Sequence, residues 1–176
     1  ILDLATVGEG ISTKRTFENV RNLAQHAEEW GYHRFWLAEH HNMKSIASSA
    51  TSVLIGYLAE GTKTLRIGSG GIMLPNHSPF VIAEQFGTLA SLYPGRIDLG
   101  LGRAPGTDQV TAQAIRSDRM QSVYSFPEEI KQIRQYLSTS NESSKVRVPF
   151  AEGVDLPFYI LGSSTDSAYL AAKQGL

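Results

Sequence analysis

The sequence predicts a parallel α/β fold, in which strands and helices alternate along the chain. Short apolar runs, typical of buried strands, alternate with longer segments whose apolar residues recur every three or four positions, as on one face of a helix. Polar and glycine-rich clusters follow the predicted strands at one end only. Parallel α/β proteins build their sites at this end of the sheet, so the pattern predicts both a fold and a pocket.

The first half of the chain contains three strand–helix units. Glycines stop the first two helices, at Gly31 and Gly61, and Pro79 is suited to the first turn of the third. The breaker Tyr93-Pro94-Gly95 ends that third helix. The predicted elements are an apolar stub at 1–6, a helix at Thr13–Trp30, a strand at 34–38, a helix at 48–60, a strand at 65–73 and a helix at 79–92.

The second half continues the alternation with longer connections. Its predicted elements are a strand at 96–101, an irregular polar segment at 105–125, a helix carrying Ile130, Ile133 and Leu137, a polar linker at 138–144, a strand at 158–161 and a helix ending at Gly175. The segment 105–125 is longer than a simple connection, so we expect a functional or mobile loop there.

Two architectures fit this alternation, an open doubly wound sheet and an eight-fold barrel. Five units in 176 residues are about 35 residues each, so eight units come to about 280, close to the ~250 of ordinary barrels. The chain also stops at a helix end, where a next strand would begin, and it starts without Met. On these grounds we expect the N-terminal part of one barrel domain, over 1–176, and an open five-stranded sheet is the alternative.

Composition excludes several classes of function. Sixteen Lys and Arg oppose seventeen Asp and Glu, for a net charge of −1, so the chain lacks the basic surplus of a nucleic-acid binder. The 41% apolar and 19% charged composition is that of an ordinary globular protein, not of a membrane-spanning or disordered one. The absence of cysteine excludes disulfide scaffolds, zinc-thiolate sites, iron–sulfur clusters and cysteine nucleophiles.

Two clusters at the strand ends indicate an anion site. Arg103 follows a predicted buried strand, where an unpaired guanidinium would be costly, so it should meet an anion; a structural ion pair with Asp108 is the alternative. Ser163 and Ser164 precede a helix, which they can cap while its free N–H groups bind an anion. Together these groups from neighbouring strands predict a phosphate cradle.

Two further clusters bear on catalysis and on close approach to a ligand. The run Glu39-His40-His41 lacks a third metal ligand at a typical spacing, so we expect no metal site and favour proton transfer by one histidine. Glu39 is expected to orient that histidine or to pair with Arg103. Gly70-Gly71 allows close approach to a flat ligand or a strained bond, and equally a β-bulge.

A glycine-rich stretch at 100–106 superficially matches a dinucleotide fingerprint. Its spacing, G-x-G-x-x-x-G, differs from the fingerprint, and Pro105 with the long segment behind it opposes an immediate helix. A Rossmann fold is therefore not expected.

The motifs in their order resemble those of the bacterial luciferase-like family of flavin-dependent monooxygenases. They are Trp36-Leu37-Ala38-Glu39-His40-His41, Gly68-Ser69-Gly70-Gly71-Ile72-Met73-Leu74-Pro75, Ala83-Glu84-Gln85-Phe86, Tyr93-Pro94-Gly95-Arg96, Gly100-Leu101-Gly102-Arg103 and Leu161-Gly162-Ser163-Ser164. The resemblance covers nearly the whole chain. It implies a (β/α)8 TIM barrel, of which about five units are present here.

The resemblance also implies roles for individual residues. It assigns the FMN phosphate to Arg103 and to the serines after the last strand, and it places a non-prolyl cis peptide against the flavin ring. His40 matches a histidine beside the flavin reaction centre and is the expected catalytic residue. The implied cofactor-binding residues are Glu39, Gly70, Gly71, Met73, Arg103, Pro105, Ser163, Ser164 and Ser167.

The implied activity is insertion of one oxygen atom from O2 into a small organic substrate through a flavin C4a-peroxide. Reduced FMN is the implied co-substrate, delivered by a separate NAD(P)H:flavin reductase to a cytoplasmic homodimer that binds neither nucleic acid nor membrane. The alternatives are an F420-dependent oxidoreductase in the same barrel and a flavin-binding protein without catalysis.

Overall fold

The computed structural model describes residues 1–117 and 119–176, which contain five strands and six α-helices. Strands and helices alternate, except that two successive helices separate the fourth and fifth strands. The elements are β1 (Leu2–Asp3), α1 (Thr13–Glu29), β2 (Arg34–Leu37), α2 (Thr51–Glu60), β3 (Arg66–Met73), α3 (Pro79–Leu92), β4 (Ile97–Gly102), α4 (Gln109–Ile115), α5 (Arg119–Tyr136), β5 (Phe158–Ile160) and α6 (Thr165–Gln174). Short 3-10 turns lie at Leu74–Asn76, Thr139–Asn141 and Pro149–Ala151.

All five strands form one parallel sheet in the order β1-β2-β3-β4-β5. In a doubly wound sheet the strand order reverses at a switch point, whereas each strand of a barrel lies beside the next one in sequence. The described strands follow the second rule. The sheet therefore has the topology of five consecutive units of a (β/α)8 barrel, and the open doubly wound alternative is wrong.

Successive side chains of each strand point to opposite faces of the sheet. In β2, Phe35 and Leu37 are fully buried and face the helices, while Arg34 and Trp36 point to the opposite, inner face. Burying a side chain such as Phe35 contributes about 1.5–3 kcal/mol. The helices cover the outer face with Ile55, Leu58, Ile82, Phe86, Phe126, Ile130 and Ile133, which form one core with the strands.

Local signals in the sequence set the helix ends. Ser12 precedes α1 and its Oγ accepts a hydrogen bond from the Arg15 amide at 3.2 Å, which satisfies one of the free N–H groups of the first turn. The chain leaves α1 through Gly31 at φ +77°, and α6 ends at Gly175 at φ +68°. Both are left-handed conformations that glycine adopts without steric penalty.

The segment predicted as an irregular loop at 105–125 is largely helical, so that prediction is wrong over the described part; residue 118 lies outside the described residues. Asp108 caps α4, accepting from the amide of Thr111 at 3.0 Å and from its hydroxyl at 2.7 Å. Only Ala112 of α4 is buried, so a clear apolar stripe is missing from the sequence. Asp108 followed by Thr111 is the capping signal that marks the helix start.

Among the helices of residues 1–117 and 119–176, none combines the length and the apolar character that crossing a bilayer requires.

Glu28, at the end of α1, anchors the turn that leads into β3. Its carboxylate accepts hydrogen bonds from the amides of Lys63, Thr64 and Leu65 and from the Thr64 hydroxyl. Burial raises the pKa of Glu28, but these hydrogen bonds outweigh it and hold the pKa at about 2, against an ordinary 4.5. Because the folded pKa is depressed, Glu28 stabilises the fold above about pH 4.5 and loses this effect as the pH falls toward 2.

Glu28→Gln is therefore expected to lower the free energy of unfolding at pH 7 by about 1–2 kcal/mol, because it loses charged hydrogen bonds, and to lower the thermal midpoint with it. The difference in unfolding free energy between the variant and the wild type should become smaller as the pH falls from about 4.5 toward 2. Thermal unfolding at a series of pH values measures it. The control is Glu18→Gln, which removes only an exposed pair with Arg15 at 3.3 Å and should change little. A constant gap over this pH range would contradict the assignment.

Candidate active site

The carboxyl ends of the strands meet at one rim of the sheet, as the sequence predicted. Four segments share that rim: 39–42 after β2, 73–77 after β3, 103–107 after β4 and 162–164 after β5. Between the last two segments lies a cavity of about 540 Å³, within the range of small-molecule sites. It is lined by Met73, Gly102, Arg103, Ala104, Pro105, Val123, Leu161, Gly162, Ser163, Ser164 and Ser167.

Some of the predicted site residues line the cavity and the others do not. Those that line it are Met73, Arg103, Pro105, Ser163, Ser164 and Ser167. The others are absent from the lining: Glu39 and His40 lie in the segment after β2, and Gly70 and Gly71 lie within β3. The lining also contains Gly102, Leu161 and Val123, which were not among the predicted site residues. Gly102 and Leu161 belong to the motifs that carry the family resemblance, whereas Val123 has no signal in a single sequence.

Arg103 is the cation of the cavity. It directly follows the fully buried strand β4, as predicted, and its side chain is exposed. Within the described residues it makes no hydrogen bond and no ion pair. The alternative partner Asp108 instead caps α4, and hydrogen bonds from the amide and hydroxyl of Thr111 lower the pKa of Asp108 to about 2. The guanidinium of Arg103 is thus available to an anion in the cavity.

The start of α6 forms the other polar wall. Ser164 occupies the N-cap position with extended backbone, as predicted, but its side chain makes no capping hydrogen bond, contrary to the expected cap. Ser167 lies against Gly162, where a Cβ would fall only 2.1 Å from the Ser167 Cβ and Oγ. The absence of a side chain at Gly162 therefore lets the first turn of α6 approach the end of β5 and places the Ser167 hydroxyl at the cavity.

Glu39 is fully buried and receives hydrogen bonds from four residues. The Nε2 atoms of His41 and His77 lie 2.7 and 2.9 Å from its oxygens, the Met73 amide 2.9 Å and the Asn76 Nδ2 3.2 Å. Burial raises the pKa of Glu39, but the hydrogen bonds from both histidines, the charge of His77 and the Met73 amide hold it at about 2. Glu39 thus orients His41, one of the two histidines of the run, and it does not pair with Arg103.

His40 is held by the segment after β4. Its Nδ1 lies 3.2 Å from the carbonyl oxygen of Gly106. A carbonyl only accepts, so Nδ1 carries the proton and, in the neutral ring, Nε2 is left as a proton acceptor. Gly106 approaches so closely that a Cβ there would lie 2.6 Å from the backbone oxygen of Glu39. This contact joins the His40 segment to the loop that carries Pro105.

The peptide bond between Gly70 and Gly71 is cis, which confirms the bond implied by the family resemblance. The register of β3 against β4 shifts at the same place, between Ser69 and Ile72, so the β-bulge is present as well. A Cβ on Gly71 would lie 2.8 Å from the Gly100 oxygen and 2.9 Å from Leu161. The missing side chain at Gly71 therefore allows β3 to pack closely against Gly100 and Leu161.

Within the part of the chain that the structure describes, no three His, Cys, Asp or Glu side chains are arranged to hold a metal ion.

The chain belongs to the luciferase-like monooxygenase family, whose model matches residues 1–176. It is 55% identical over its whole length to a luciferase-like monooxygenase of Escherichia coli, and 41% identical to the N-acetyl-S-alkylcysteine monooxygenase of Bacillus subtilis. It covers 52% and 54% of these proteins, so the chain spans about half the length of the curated relatives it matches. The crystal structure of apo-MsnO8 matches all of the chain and 52% of its own, with a TM-score of 0.90 and 37% identity.

More distant structures share the fold alone. The oxygenating constituent of 3,6-diketocamphane monooxygenase from Pseudomonas putida, in complex with FMN, matches all of the chain and 54% of its own with a TM-score of 0.78 at 18% identity. An F420-dependent secondary alcohol dehydrogenase matches 88% of the chain and 51% of its own with a TM-score of 0.69 at 21% identity.

Gly162→Ala tests the close approach of α6 to β5. Because the added Cβ falls 2.1 Å from Ser167, the first turn of α6 must move, at a cost of about 1–3 kcal/mol for overpacking. Hydrogen exchange of the amides at 163–168 should accelerate about tenfold or more. Gly56→Ala is the control, since its Cβ would meet Leu89 at an ordinary 3.4 Å. Equal exchange at 163–168 in both variants would refute the proposed contact.

Proposed function

We propose that the chain holds FMN at this cavity and acts within a flavin-dependent monooxygenase, which inserts one oxygen atom from O2 into a small organic substrate. The observation that carries the proposal is that an unengaged guanidinium, Arg103, and the hydroxyl-rich start of α6 line the same cavity, whose remaining lining is mostly apolar. Membership of the luciferase-like monooxygenase family supports the oxidoreductase class.

The polar residues of the cavity lining fit a phosphate group. A guanidinium forms charge-assisted, bidentate hydrogen bonds with phosphate oxygens, and the free N–H groups at a helix start favour negative charge. Arg103, Ser163, Ser164 and Ser167 supply these groups from two neighbouring strand ends.

The remaining walls fit a flat ring. Met73, Pro105 and Leu161 line them with apolar surface, and Gly102 adds backbone without a side chain. A Cβ on Gly102 would lie 2.8 Å from the Met73 sulfur, so the glycine also allows this methionine to pack onto β4. In this reading Met73 and Pro105 contact the ring, and Gly70 and Gly71 approach it with backbone.

Reduced FMN, when bound, supplies the electrons with which O2 is activated. The protein's own residues orient the cofactor, keep water out through the apolar walls, and move a proton. His40 is the group we assign to proton transfer, since its Nδ1 is engaged by Gly106 and its Nε2 remains an acceptor.

The family resemblance supports further proposals for the complete protein. These are a small-molecule substrate, a separate NAD(P)H:flavin reductase as the source of reduced FMN, a homodimer, and a cytoplasmic location. F420-dependent hydride transfer and flavin binding without catalysis are the competing functions. Titration with FMN and F420, followed by oxygen uptake with a substrate panel, separates them: F420 binding with no FMN binding, or FMN binding with no oxygen uptake, would contradict the proposal.

Arg103→Ala should weaken FMN binding by about 10- to 100-fold, the effect of losing a charge-assisted hydrogen bond. The affinity for riboflavin, which lacks the phosphate, should be nearly the same in the variant and the wild type. Quenching of flavin fluorescence measures both ligands. Arg15→Ala is the matched control, because Arg15 is exposed on α1 and pairs only with Glu18 in the next turn of the same helix. Equal losses for FMN and riboflavin would show that Arg103 does not bind the phosphate.

His40→Ala should lower turnover by about 10²-fold or more, as expected for loss of a general acid–base group, and leave FMN affinity largely intact. Oxygen uptake under substrate saturation measures turnover. His33→Ala is the control, since this exposed histidine lies at the opposite ends of the strands. Unchanged turnover in His40→Ala would remove His40 from the catalytic assignment.

A further inference from the structure

The buried carboxylate of Glu39 links three chain segments that come from different parts of the sequence. It follows β2, and it binds the Met73 amide at the end of β3 and the His77 ring just after it. Asn76 donates both to Glu39 and, at 2.9 Å, to the carbonyl oxygen of Pro105. Through Asn76 the same carboxylate thus reaches the loop after β4.

The segment after Glu39 fixes that loop a second time. The His41 amide donates to the Gly106 carbonyl at 3.1 Å, and the Thr107 hydroxyl donates to the His41 carbonyl at 3.0 Å. The His41 ring returns to Glu39 at 2.7 Å. The loop is therefore clamped between backbone contacts to His41 and a side-chain contact to Asn76, and Glu39 orients both of these residues.

Two residues clamped in this way, Met73 and Pro105, line the cavity, whereas Glu39 itself does not. Glu39 thus lies where it can shape the pocket without touching what fills it. Every group that faces its oxygens is a donor: two imidazole N–H groups, one amide of the backbone and one of Asn76. Only an acceptor without hydrogens satisfies all of them, so a glutamine would set its NH2 against at least one donor.

We propose that Glu39 is a positioning residue, whose carboxylate holds Met73 and the 105–107 loop in the arrangement that preforms the cofactor cavity. The link to a cofactor rests on the function proposed above, while the link to the loop does not depend on it. The role also differs from the direct cofactor contact that the resemblance implied for Glu39.

The first test compares Glu39→Gln with Glu28→Gln in the intact protein. Both changes neutralise a carboxylate that accepts hydrogen bonds from several N–H groups. Glu28, however, binds the turn before β3, at the opposite ends of the strands from the cavity. Hydrogen exchange without ligand is the readout. In Glu39→Gln, exchange should rise about tenfold or more at 73–77 and 104–108, the effect of losing a charged hydrogen bond. In Glu28→Gln the rise should be confined to 61–65.

The second test asks for rescue by a conservative change. In His77→Gln the side-chain NH2 replaces the Nε2–H that faces Glu39, whereas His77→Leu removes the donor. We expect exchange at 104–108 near the wild-type rate in His77→Gln and raised in His77→Leu. This pair keeps the test open even if Glu39→Gln fails to fold. Equal exchange in both His77 variants would overturn the proposal.

FMN titration of the same variants separates this proposal from the function it rests on. Weakening by about tenfold or more in Glu39→Gln, with Glu28→Gln within about twofold, supports the positioning role. If the wild type does not bind FMN, the proposed function fails and the exchange experiment still decides the role of Glu39. If exchange at 104–108 rises in Glu39→Gln and FMN affinity stays at the wild-type value, Glu39 does not position the cavity and the proposal is wrong.

Discussion

The arrangement of the sheet depends on the buried carboxylate of Asp98. It lies on the inner face with no exposed surface and accepts hydrogen bonds from Arg34 Nε at 3.0 Å, Arg66 Nη2 at 2.7 Å and Trp36 Nε1 at 3.0 Å. Arg34 also donates to the Tyr159 hydroxyl at 3.0 Å. One cluster thus ties β2, β3, β4 and β5 together, and an uncompensated buried charge, worth about 3–5 kcal/mol, opposes any slip that separates the partners.

This fixed register is what allows a site at the other end of the strands. A slip by one residue would turn every side chain of a strand to the opposite face, so the strand ends would no longer present the same residues to the rim. Gly68 belongs to the same arrangement, because a Cβ there would lie 2.4 Å from the backbone carbonyl oxygen of Asp98 and 2.7 Å from its Cβ. The sheet therefore carries two buried carboxylates with different tasks: Asp98 aligns the strands, and Glu39 joins the loops that the aligned strands present.

A single sequence predicts the features that depend on residues close together in the chain, and it misses those that depend on distant residues. The bounds of α1, expected at Thr13–Trp30 and observed at Thr13–Glu29, rest on spacing and on Gly31, which are local signals. The start of α4 was also marked locally, by Asp108, but the helix buries only Ala112 and so lacks the periodic pattern that reveals longer helices. The partners of Glu39 lie up to 38 residues away along the chain, and no spacing rule indicates that His77 reaches it.

The polar groups at the rim fall into two sets, those engaged by protein partners and those that are not. Glu39, His41 and Asp108 are engaged by protein partners, so their charges and hydrogen bonds stabilise the loops. Among the described residues, the Arg103 guanidinium and His40 Nε2 make no such contact. Under the proposed function, Arg103 would meet an anionic group of the ligand in the cavity and His40 would exchange a proton with that ligand. A nucleotide-like cofactor with a phosphate at one end and a reactive ring at the other meets both requirements, whereas a simple anion meets only the first.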